Sequence, residues 1–429
     1  MERSVRSHVR TVTILTFSGS QPYRCCRQVA DLHPLLEHDI LTTRMEGRVL
    51  IDRFSVRNFR SIQECDVELQ PLTFFIGPNG SGKTSFIDAI LFLGSAIRDS
   101  LEKAIKDRGG IHSVLHHPIS LPASSRFDVY LSSSMTTWEF HLELRIVDGW
   151  DVSVVREECL IQNARGEKHF YLVENGRVAG SEAVFPAVSV DRIFLSNASG
   201  LPEFRPLFDY LAGLTSAEPT PIAVHAILQR FTQVPRQPNS GAGEVGLAAR
   251  FRKLKNARPD RLEIVQQYLR AIAPPFDRLE LIESNGMLWL QFVEKAPSGA
   301  LRPFYISQSS AGLVNSADML IELFGHAEES RPLAAILIEE PEALLHPGAI
   351  QVIRDSFIEA SNFRQVLVTT HSPDLLDDPD IPAEWIRIVS RDEAGTHIDI
   401  LDTGTKSVIR DKLYTPGQLL RQGGLQLNT

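Results

Sequence analysis

The feature that most constrains the fold of this 429-residue chain is the segment GPNGSGKT at positions 77–84. It matches the pattern G-x-x-x-x-G-K-[ST], follows the continuous apolar run LTFFI (72–76) and precedes the apolar segment SFIDAILFLGSAI. A short apolar run is typical of a buried strand, and the later segment is typical of a helix that begins at the loop. This order of strand, glycine-rich loop and helix predicts an α/β fold with a phosphate-binding (P-loop) core.

The chemistry of this loop follows from its residue types. Glycines let the backbone curl so that successive N–H groups point inward at phosphate oxygens, and the next helix adds its positive N-terminal end. Lys83 reaches the β- and γ-phosphates, and the Thr84 hydroxyl binds Mg²⁺. A glycine-rich turn with an incidental lysine is the alternative, and the flanking strand and helix argue against it. We therefore predict that ATP and Mg²⁺ bind through Gly77, Gly80, Ser81, Gly82, Lys83, Thr84 and Ser85.

Two carboxylates stand at the end of a second apolar segment. AAILI (334–338) predicts a strand that ends in Glu339 and Glu340. A P-loop enzyme needs one carboxylate near Mg²⁺ and another that orients the attacking water. Adjacent residues at a strand end can point in different directions and share that work. The alternative is a solvated acidic turn, and the P-loop upstream favours the functional interpretation.

A histidine follows a third apolar segment. QVLVTT (365–370) predicts a buried strand, and His371 emerges at its carboxyl end, where ligands bind on parallel α/β sheets. A lone histidine is usually structural. This one is the third polar group to follow a predicted core strand, so we predict that it contacts the γ-phosphate.

Five motifs resemble those of the ABC-type ATPase heads of the RecF, SMC and OLD-like families, in particular the bacterial "predicted ATPase" (AAA family ATPase) proteins, and they stand in the same order. They are NFRS (58–61), GPNGSGKT (77–84), QSSAGL (308–313), EEPEALLHP (339–347) and THSPDLLD (370–377). The resemblance covers roughly residues 45–429. It is specific for the ATPase head and says little about the biological pathway.

The resemblance implies a role for each of the residues singled out above. Lys83 and Thr84 would bind phosphate and Mg²⁺, and Glu339 would hold Mg²⁺, directly or through water, where related proteins usually have aspartate. Glu340 would be the general base or the group that polarises water, and His371 would be the switch histidine. The catalytic set implied by the resemblance is Glu340, His371 and Lys83.

The resemblance also implies a second chain. Ser310 and Gly312 lie in SSAGL, where the families more often have S-D-G, and would form the signature motif that contacts the γ-phosphate of the opposite subunit. The expected assembly is a homodimer with composite ATP sites. Asn79 and Arg60 resemble positions that also contact nucleotide in these families.

Departures from related patterns narrow the class of protein. A transporter subunit would have a fuller LSGGQ motif and usually a DEPT-type sequence, and an SMC-type protein would insert hundreds of heptad-patterned residues. OLD nucleases carry a Toprim domain, for which residues 378–429 are expected to be too short. Asp377, Asp378 and Asp380 could suggest a metal site, but a solvated turn is the better interpretation because no other ligand pattern surrounds them.

Charge limits the possible contacts with nucleic acid. The formal net charge is −9, so any DNA contact must be a local patch. Six cations within twelve residues could follow a phosphate backbone, although a solvated helix face is the commoner outcome. They are Arg250, Arg252, Lys253, Lys255, Arg258 and Arg261.

The sequence predicts a cytoplasmic protein. No apolar stretch reaches the length of about 18 residues that a membrane span needs, and the N-terminus lacks the apolar core of a secretory signal. Cys25, Cys26, Cys65 and Cys159 are scattered, without metal-ligand spacing, as in a reducing compartment.

We expect a poorly ordered extension at 1–44, with an added strand or a partner-binding tail as the alternative, and an ATPase head at 45–429. The head divides into a P-loop lobe (45–125), an inserted β and helical region (126–299) and a lobe with the signature, second carboxylate and histidine motifs (300–429). Antiparallel strands are predicted at RFDVYLS, WEFHLELRIV, WDVSVVREECLI, KHFYLVENGRV and DRIFLS, with hairpin turns at DGW and ENGR. Helices are predicted at PEFRPLFDYLAGL, at AVHAILQRF, at GLAARFRKL and after SSAG (309–312), and QVPRQPNSGAG (233–243) predicts a loop.

The expected function is ATP binding and hydrolysis that drives head-to-head dimer closure. By resemblance to the RecF and OLD-like families alone, its use would be DNA repair or anti-phage defence. One alternative is a nucleotide-gated scaffold for a separate effector protein, with slow or no turnover. A second is a kinase, against which the pairing of Glu340 with His371 argues, because it favours water as the acceptor.

Overall fold

The computed structural model describes residues 48–117, 122–146, 151–181, 192–217, 233–235, 246–284, 287–325 and 333–425, all within one compact unit, Ile40–Thr429. Three expected features lie outside the described residues. They are the extension at 1–44, the helix at AVHAILQRF (223–231) and the turn at DGW (148–150).

The described part of the chain contains 17 strands and ten α-helices. The strands are β1 Leu50–Phe59, β2 Ile62–Glu68, β3 Leu72–Ile76, β4 Ala123–Ser132, β5 Thr136–Ile146, β6 Val152–Asn163, β7 Lys168–Glu174, β8 Arg177–Ser181, β9 Thr215–Ala217, β10 Gln233–Pro235, β11 Phe276–Ser284, β12 Met287–Lys295, β13 Leu301–Tyr305, β14 Ile336–Glu339, β15 Val366–Thr370, β16 Ile386–Arg391 and β17 Thr396–Asp399. The helices are α1 Lys83–Arg98, α2 Leu101–Lys106, α3 Leu195–Ala198, α4 Arg205–Ala212, α5 Leu247–Ala257, α6 Pro259–Ile272, α7 Ala311–Leu323, α8 Pro347–Ala360, α9 Thr403–Arg410 and α10 Pro416–Arg421.

An antiparallel sheet has the order β2-β1-β4-β5-β6-β7-β8. Its strands alternate buried and exposed residues, as a sheet with one face on a core should. The turn between β7 and β8 has positive φ at Asn175 (48°) and Gly176 (74°), which matches the right-handed twist of a hairpin. The antiparallel lobe and the ENGR turn are therefore confirmed. The strands β1 and β2, which precede the P-loop, belong to the same sheet.

A second sheet has the order β17-β16-β3-β15-β14-β9, and its strands are parallel except for β17. Its central strands are buried along their whole length. Successive side chains of a strand point to opposite faces, so this sheet lies between two cores. The core that includes α1 and the antiparallel sheet receives Phe75, Leu337 and Leu367. The core that includes α5 to α8 receives Phe74, Ile338 and Val368. The expected α/β fold is confirmed.

A buried glutamine joins the two large sheets. The amide of Gln365 accepts from Ile51 N at 2.9 Å and donates to Ile51 O at 2.8 Å and Gln70 O at 3.1 Å. A side chain that satisfies backbone groups of two distant segments fixes them relative to each other, because each lost bond would leave a buried polar group unpaired. Gln365 thus ties β1 to the start of β15.

Two local predictions were wrong. DRIFLS was expected to be a strand, but Leu195–Ala198 is a short helix, because the backbone N–H groups of Phe194 and Leu195 bind the buried Glu157 carboxylate instead of a neighbouring strand. QVPRQPNSGAG (233–243) was expected to be a loop, but Gln233–Pro235 pairs with the first residues of β12, and residues 236–243 lie outside the described residues. Pro235 is the last residue of this short strand, where the missing N–H is tolerated.

The helices expected at PEFRPLFDYLAGL, at GLAARFRKL and after SSAG are confirmed as α4, α5 and α7. None of the described helices is both long enough and apolar enough to span a membrane.

Candidate functional site

The carboxyl ends of three neighbouring parallel strands meet at one edge of the second sheet. β3 leads into the P-loop, β15 lies beside it and ends at Thr370, and β14 lies beside β15 and ends at Glu339. Segments that are about 260 to 290 residues apart in sequence are therefore neighbours in space, because strands of this type align their carboxyl ends. This edge carries the P-loop, the paired glutamates and the histidine.

The P-loop holds a conformation that its last glycine makes possible. Gly82 is the N-cap of α1 with φ 107°, a region that residues with a Cβ rarely adopt. A Cβ at Gly82 would also lie 2.0 Å from Oγ1 of Thr396. That hydroxyl donates to Ser81 O at 3.0 Å and shares a 2.8 Å hydrogen bond with the hydroxyl of Ser61, so β17 packs directly against the loop. The loop is thus fixed by contacts with the strand pair β16–β17.

Lys83 is buried and directed into the loop. Its side chain is 5% exposed, and Nζ donates to the carbonyl oxygens of Gly77 at 2.8 Å and Pro78 at 3.1 Å. Burial lowers the pKa of the Lys83 ammonium, and the carboxylates at the strand edge, Glu340 first, oppose that change. Lys83 is thus a buried cation held by two carbonyl oxygens of a glycine-rich loop. It can exchange these carbonyl oxygens for phosphate oxygens, which are stronger acceptors.

Glu340 stands opposite Lys83. Its Oε1 lies 3.9 Å from Lys83 Nζ and 3.5 Å from His371 Nδ1. Its backbone is in the left-handed region, with φ 41°, and its N–H donates to Thr369 O at 3.0 Å. A glutamate in this region is strained, and such strain is common at functional sites. The turn sets the side chain of Glu340 into the P-loop cavity, after Glu339 has ended β14.

His371 lies between two carboxylates, one of which the sequence analysis missed. Its side chain is 45% exposed, and Nδ1 lies 3.5 Å from Oε1 of Glu340 and 3.5 Å from Oε1 of Glu342. Glu342 is only 7% exposed and also accepts from Thr370 Oγ1 at 2.7 Å and from His371 N at 3.1 Å. Only its place in EEPEALLHP, two residues after Glu340, could have pointed to it.

The P-loop borders a cavity of about 290 Å³. Its lining residues are Ser61, Asn79, Gly80, Gly82, Lys83, Thr84, Ser85, Glu340 and Arg391. Ser61 and Arg391 were not predicted; Arg391 ends β16, on the far side of β3 from Glu340. The hydroxyl of Ser81 is buried and has no hydrogen-bond partner within the described part of the chain, as expected of a group that serves a ligand. An enclosed lysine, a loop of N–H groups and an unpartnered hydroxyl fit the triphosphate of a nucleotide.

Arg60 does not line this cavity. It has φ 49°, and its Nε lies 3.0 Å from Oδ2 of Asp88 on α1, which Arg108 also contacts at 2.9 Å. The neighbouring Ser61 is the residue of NFRS that reaches the loop, through a 2.8 Å hydrogen bond to Ser85 Oγ. Contact between Arg60 and nucleotide stays a prediction.

Ser310 and Gly312 lie at the start of α7 and are not among the residues that line the cavity. Ser310 is the N-cap, and its hydroxyl accepts from Leu313 N at 3.3 Å. It is exposed, and the first turn of α7 contains no acidic residue. An exposed helix start of this kind can accept an anion.

The basic segment is largely engaged within the chain. Arg250 pairs with Asp318 and Glu322, Arg258 pairs with Asp260, and Arg261 lies 4.2 Å from the ring centroid of Phe363. Lys253 and Lys255 are exposed on α5. This arrangement favours the interpretation as a helix face.

The acidic cluster after His371 consists of separate ion pairs. Asp377 pairs with Arg421 at 2.7 Å, Asp378 with Arg354 at 2.8 Å and Asp380 with Lys412 at 2.6 Å. Each carboxylate is thus matched by its own cation, which favours a paired surface turn.

Comparison with known proteins connects this edge to two families. The family model described as "AAA ATPase domain" matches residues 50–127, which include the P-loop. The model described as "AAA domain, putative AbiEii toxin, Type IV TA system" matches residues 226–377, which include α7, the paired glutamates and His371.

The individual proteins that are similar to this chain come from the families that its motifs resemble. The DNA replication and repair protein RecF of Aliivibrio fischeri (strain MJ11) is 51% identical over 45 residues, which are 10% of this chain and 12% of RecF. The OLD nuclease of Thermus scotoductus is 24% identical over 80% of this chain and 62% of the nuclease. Among solved structures, an Smc head bound to the C-winged helix domain of ScpA has a TM-score of 0.47 and 16% identity, covering 83% of this chain and 99% of that one. The chain thus spans less than two thirds of the length of the RecF and OLD proteins that it matches.

Proposed function

We propose that the chain is an ATPase of the RecF/OLD-like group, which binds ATP with Mg²⁺ and hydrolyses it to ADP and phosphate. The observation that carries this proposal is the position of one carboxylate oxygen. Oε1 of Glu340 lies 3.9 Å from Nζ of Lys83 and 3.5 Å from Nδ1 of His371. Lys83 and Glu340 thus line the same cavity, and His371, which is not among its lining residues, lies 3.5 Å from the carboxylate of Glu340.

Each residue has one task in this proposal. Lys83 exchanges its two loop carbonyls for the β- and γ-phosphates, and the loop N–H groups hold the remaining oxygens. Thr84 and Glu339 hold Mg²⁺, which supplies charge neutralisation on the phosphates. Glu340 accepts a hydrogen bond from the attacking water and orients it at the γ-phosphorus. His371 contacts the γ-phosphate from the end of β15.

The proposed assembly is a head-to-head homodimer that closes on ATP. Ser310 and Gly312 of one protomer would cover the triphosphate held by Lys83 of its partner. The support is the exposed start of α7, which lies outside the cavity of its own chain. We further propose, from the kinship with RecF and OLD proteins, that closure acts in DNA repair or anti-phage defence.

Steady-state ATP hydrolysis tests the proposal directly. Phosphate release is measured with and without DNA for the unaltered chain, for Lys83→Ala and for Lys103→Ala. Lys103 is the matched control, because it is an exposed lysine that pairs with Asp107 at 2.7 Å on the surface. We expect Lys83→Ala to lose ATP binding and turnover with its fold intact, since Lys83 contacts the loop and not the apolar core, and Lys103→Ala to behave as the unaltered chain.

The outcomes separate the alternatives. Hydrolysis that Lys83→Ala abolishes supports the proposal. ATP binding without turnover, with or without DNA, would favour a nucleotide-gated scaffold. Equal turnover in the unaltered chain and Lys83→Ala would remove the site assignment.

A further inference from the structure

We infer that Glu342 is a positioning residue for His371: it holds the backbone and the ring of the histidine, so that the Nε2 side of the ring is presented to the γ-phosphate. This inference rests on the function proposed above. It assigns a role to a carboxylate that makes no contact with the P-loop cavity and that the mechanism so far does not use.

The contacts of Glu342 converge on the end of β15. One oxygen, Oε1, accepts from Thr370 Oγ1 at 2.7 Å and from His371 N at 3.1 Å, and lies 3.5 Å from His371 Nδ1. The backbone of Glu342 lies in the short 3₁₀ turn Pro341–Leu344, which follows β14 directly. One side chain thus joins the turn after β14 to the residue that follows β15.

These contacts decide how the ring of His371 is presented. The ring is 45% exposed, and its Nδ1 faces two carboxylate oxygens at 3.5 Å. The two nitrogens of an imidazole are separated by Cε1 and point in different directions, so a ring whose Nδ1 faces Glu340 and Glu342 directs Nε2 elsewhere. A carboxylate at Nδ1 also favours the tautomer with its proton there, which leaves Nε2 as the outer polar atom.

The second oxygen of Glu342 argues against a merely structural role. Oε2 is enclosed and has no hydrogen-bond partner among the described residues, although the side chain is 93% buried (7% exposed). A buried carboxylate oxygen without a donor costs free energy. A glutamine would make the same bonds to Thr370 and His371 through its carbonyl oxygen without a negative charge in the interior. The carboxylate adds one thing, a negative charge 3.5 Å from Nδ1.

Two substitutions of Glu342 separate its role as a hydrogen-bond acceptor from the effect of its negative charge. Glu342→Gln keeps an acceptor for Thr370 Oγ1 and His371 N and removes the charge, whereas Glu342→Ala removes both. The matched control is Glu359→Gln, because Glu359 is also a partly buried glutamate that accepts from a hydroxyl, Tyr268 Oη, at 2.6 Å. That residue lies on α8, outside the proposed site.

The first measurement is spectroscopic and needs no catalysis. The ¹⁵N shifts of the His371 ring are recorded in nucleotide-free protein at a pH where the ring is neutral, and His371→Asn identifies the signal. We expect the Nδ1–H tautomer in the unaltered chain, a shift toward Nε2–H in Glu342→Ala, a smaller shift in Glu342→Gln and none in Glu359→Gln. An unchanged His371 signal in a folded Glu342→Ala overturns the inference, whether or not the protein hydrolyses ATP.

The second measurement is the split between kcat and KM for ATP. A misplaced group at the reacting phosphate costs on the order of 10²-fold in rate, so we expect that loss of kcat in Glu342→Ala, partial rescue in Glu342→Gln and little change in KM. An increase in KM for ATP with kcat unchanged would contradict the positioning role of Glu342. If the unaltered chain does not hydrolyse ATP, the proposed function fails. The ¹⁵N shifts of the His371 ring then still test the role of Glu342.

Discussion

Glu340 combines strain, charge and position in one residue. Its φ of 41° lies where a side chain with a Cβ is disfavoured, and its carboxylate is 37% exposed beside a buried lysine. Strain of this kind is retained when the surrounding structure fixes it, here through the 3.0 Å hydrogen bond from Glu340 N to Thr369 O. The turn therefore serves to direct the side chain, since an extended backbone at this position would continue β14.

This position leads to a prediction for Glu340→Gln. The amide keeps the shape of the side chain and loses the charge that orients water, so we expect ATP to bind and turnover to fall by about 10²–10⁴-fold. If closure needs the γ-phosphate, this variant should accumulate as an ATP-bound dimer. Nucleotide binding, phosphate release and gel filtration with ATP measure the three effects.

The control for this variant is Glu384→Gln, an exposed glutamate before β16. It should hydrolyse ATP at the unaltered rate. Turnover of Glu340→Gln at that same rate would show that another group orients the water, and gel filtration that finds only monomer with ATP would contradict closure as described.

Sequence patterns located the residues that a motif fixes and missed those that only folding brings together. Lys83 and Glu340 were predicted from local spacing, and the structure places them 3.9 Å apart. Glu342 was missed because its role depends on the turn after β14 meeting the end of β15. Arg391 was missed for a similar reason, since nothing in WIRIVSR marks its last residue as a neighbour of the P-loop.

At the scale of elements, the P-loop and the hairpin β16–β17 form one packed unit, and two glycines test it. Gly80 and Gly82 both have positive φ, 79° and 107°. A Cβ at Gly80 would have no atom within 4 Å, whereas one at Gly82 would lie 2.0 Å from Thr396 Oγ1. The two positions share the backbone strain and differ in the contact.

We therefore expect Gly80→Ala to cost roughly 1–2 kcal/mol of the free energy of unfolding, from the left-handed backbone alone. Gly82→Ala should cost clearly more, because Thr396 or the loop must also move. Chemical denaturation of nucleotide-free protein measures both. Equal losses would show that β17 does not constrain the loop.

A buried glutamate anchors α3 to the antiparallel sheet and makes stability depend on pH. Glu157 accepts from Tyr171 Oη at 2.7 Å, Phe194 N at 2.6 Å and Leu195 N at 2.7 Å. Burial raises the pKa of Glu157 to about 7, from an ordinary value of 4.5. The neutral acid is also satisfied, because the Tyr171 hydroxyl can accept its proton's hydrogen bond while the two N–H groups keep their acceptors.

The folded state therefore holds the proton of Glu157 more tightly than the unfolded chain does. The stability from this proton is fully present below pH 4.5 and is lost as the pH rises through about 7. We expect the free energy of unfolding to fall by about 2–3 kcal/mol between pH 5 and pH 8 relative to Glu157→Gln, which cannot titrate. Parallel pH curves for the two proteins would contradict the prediction.

The same contact explains where prediction of the elements succeeded and failed. Strands such as RFDVYLS and helices such as α7 follow from local periodicity and were predicted. DRIFLS has the composition of a strand, but its N–H groups are used by Glu157, which lies 37 residues earlier in the sequence. No local pattern carries that information.

At the scale of the whole molecule, one chain contains the P-loop side of a nucleotide site and, elsewhere, an exposed helix start. Ser310 caps α7 and is not among the residues that line the cavity around Lys83. A symmetric dimer that brings each Ser310 to the Lys83 of its partner would contain two composite sites. Neither half would then support turnover alone.

Mixing two inactive variants tests this arrangement. Lys83→Ala removes one half of each site, and Ser310→Arg blocks the other half, so we expect each variant alone to be inactive. In a mixed dimer, the intact Lys83 of one protomer meets the intact Ser310 of its partner and rebuilds one site of two. Random exchange makes about half of the dimers mixed, so at most about a quarter of the unaltered activity should return if the two sites act independently.

The measurement is phosphate release after exchange of subunits has been verified with two differently tagged chains. A mixture that stays inactive would mean that the two sites are strictly coupled or are not composite. Substantial activity in Ser310→Arg alone would remove the assignment of Ser310, because the long arginine side chain would block a site that Ser310 shares with Lys83 of the partner protomer.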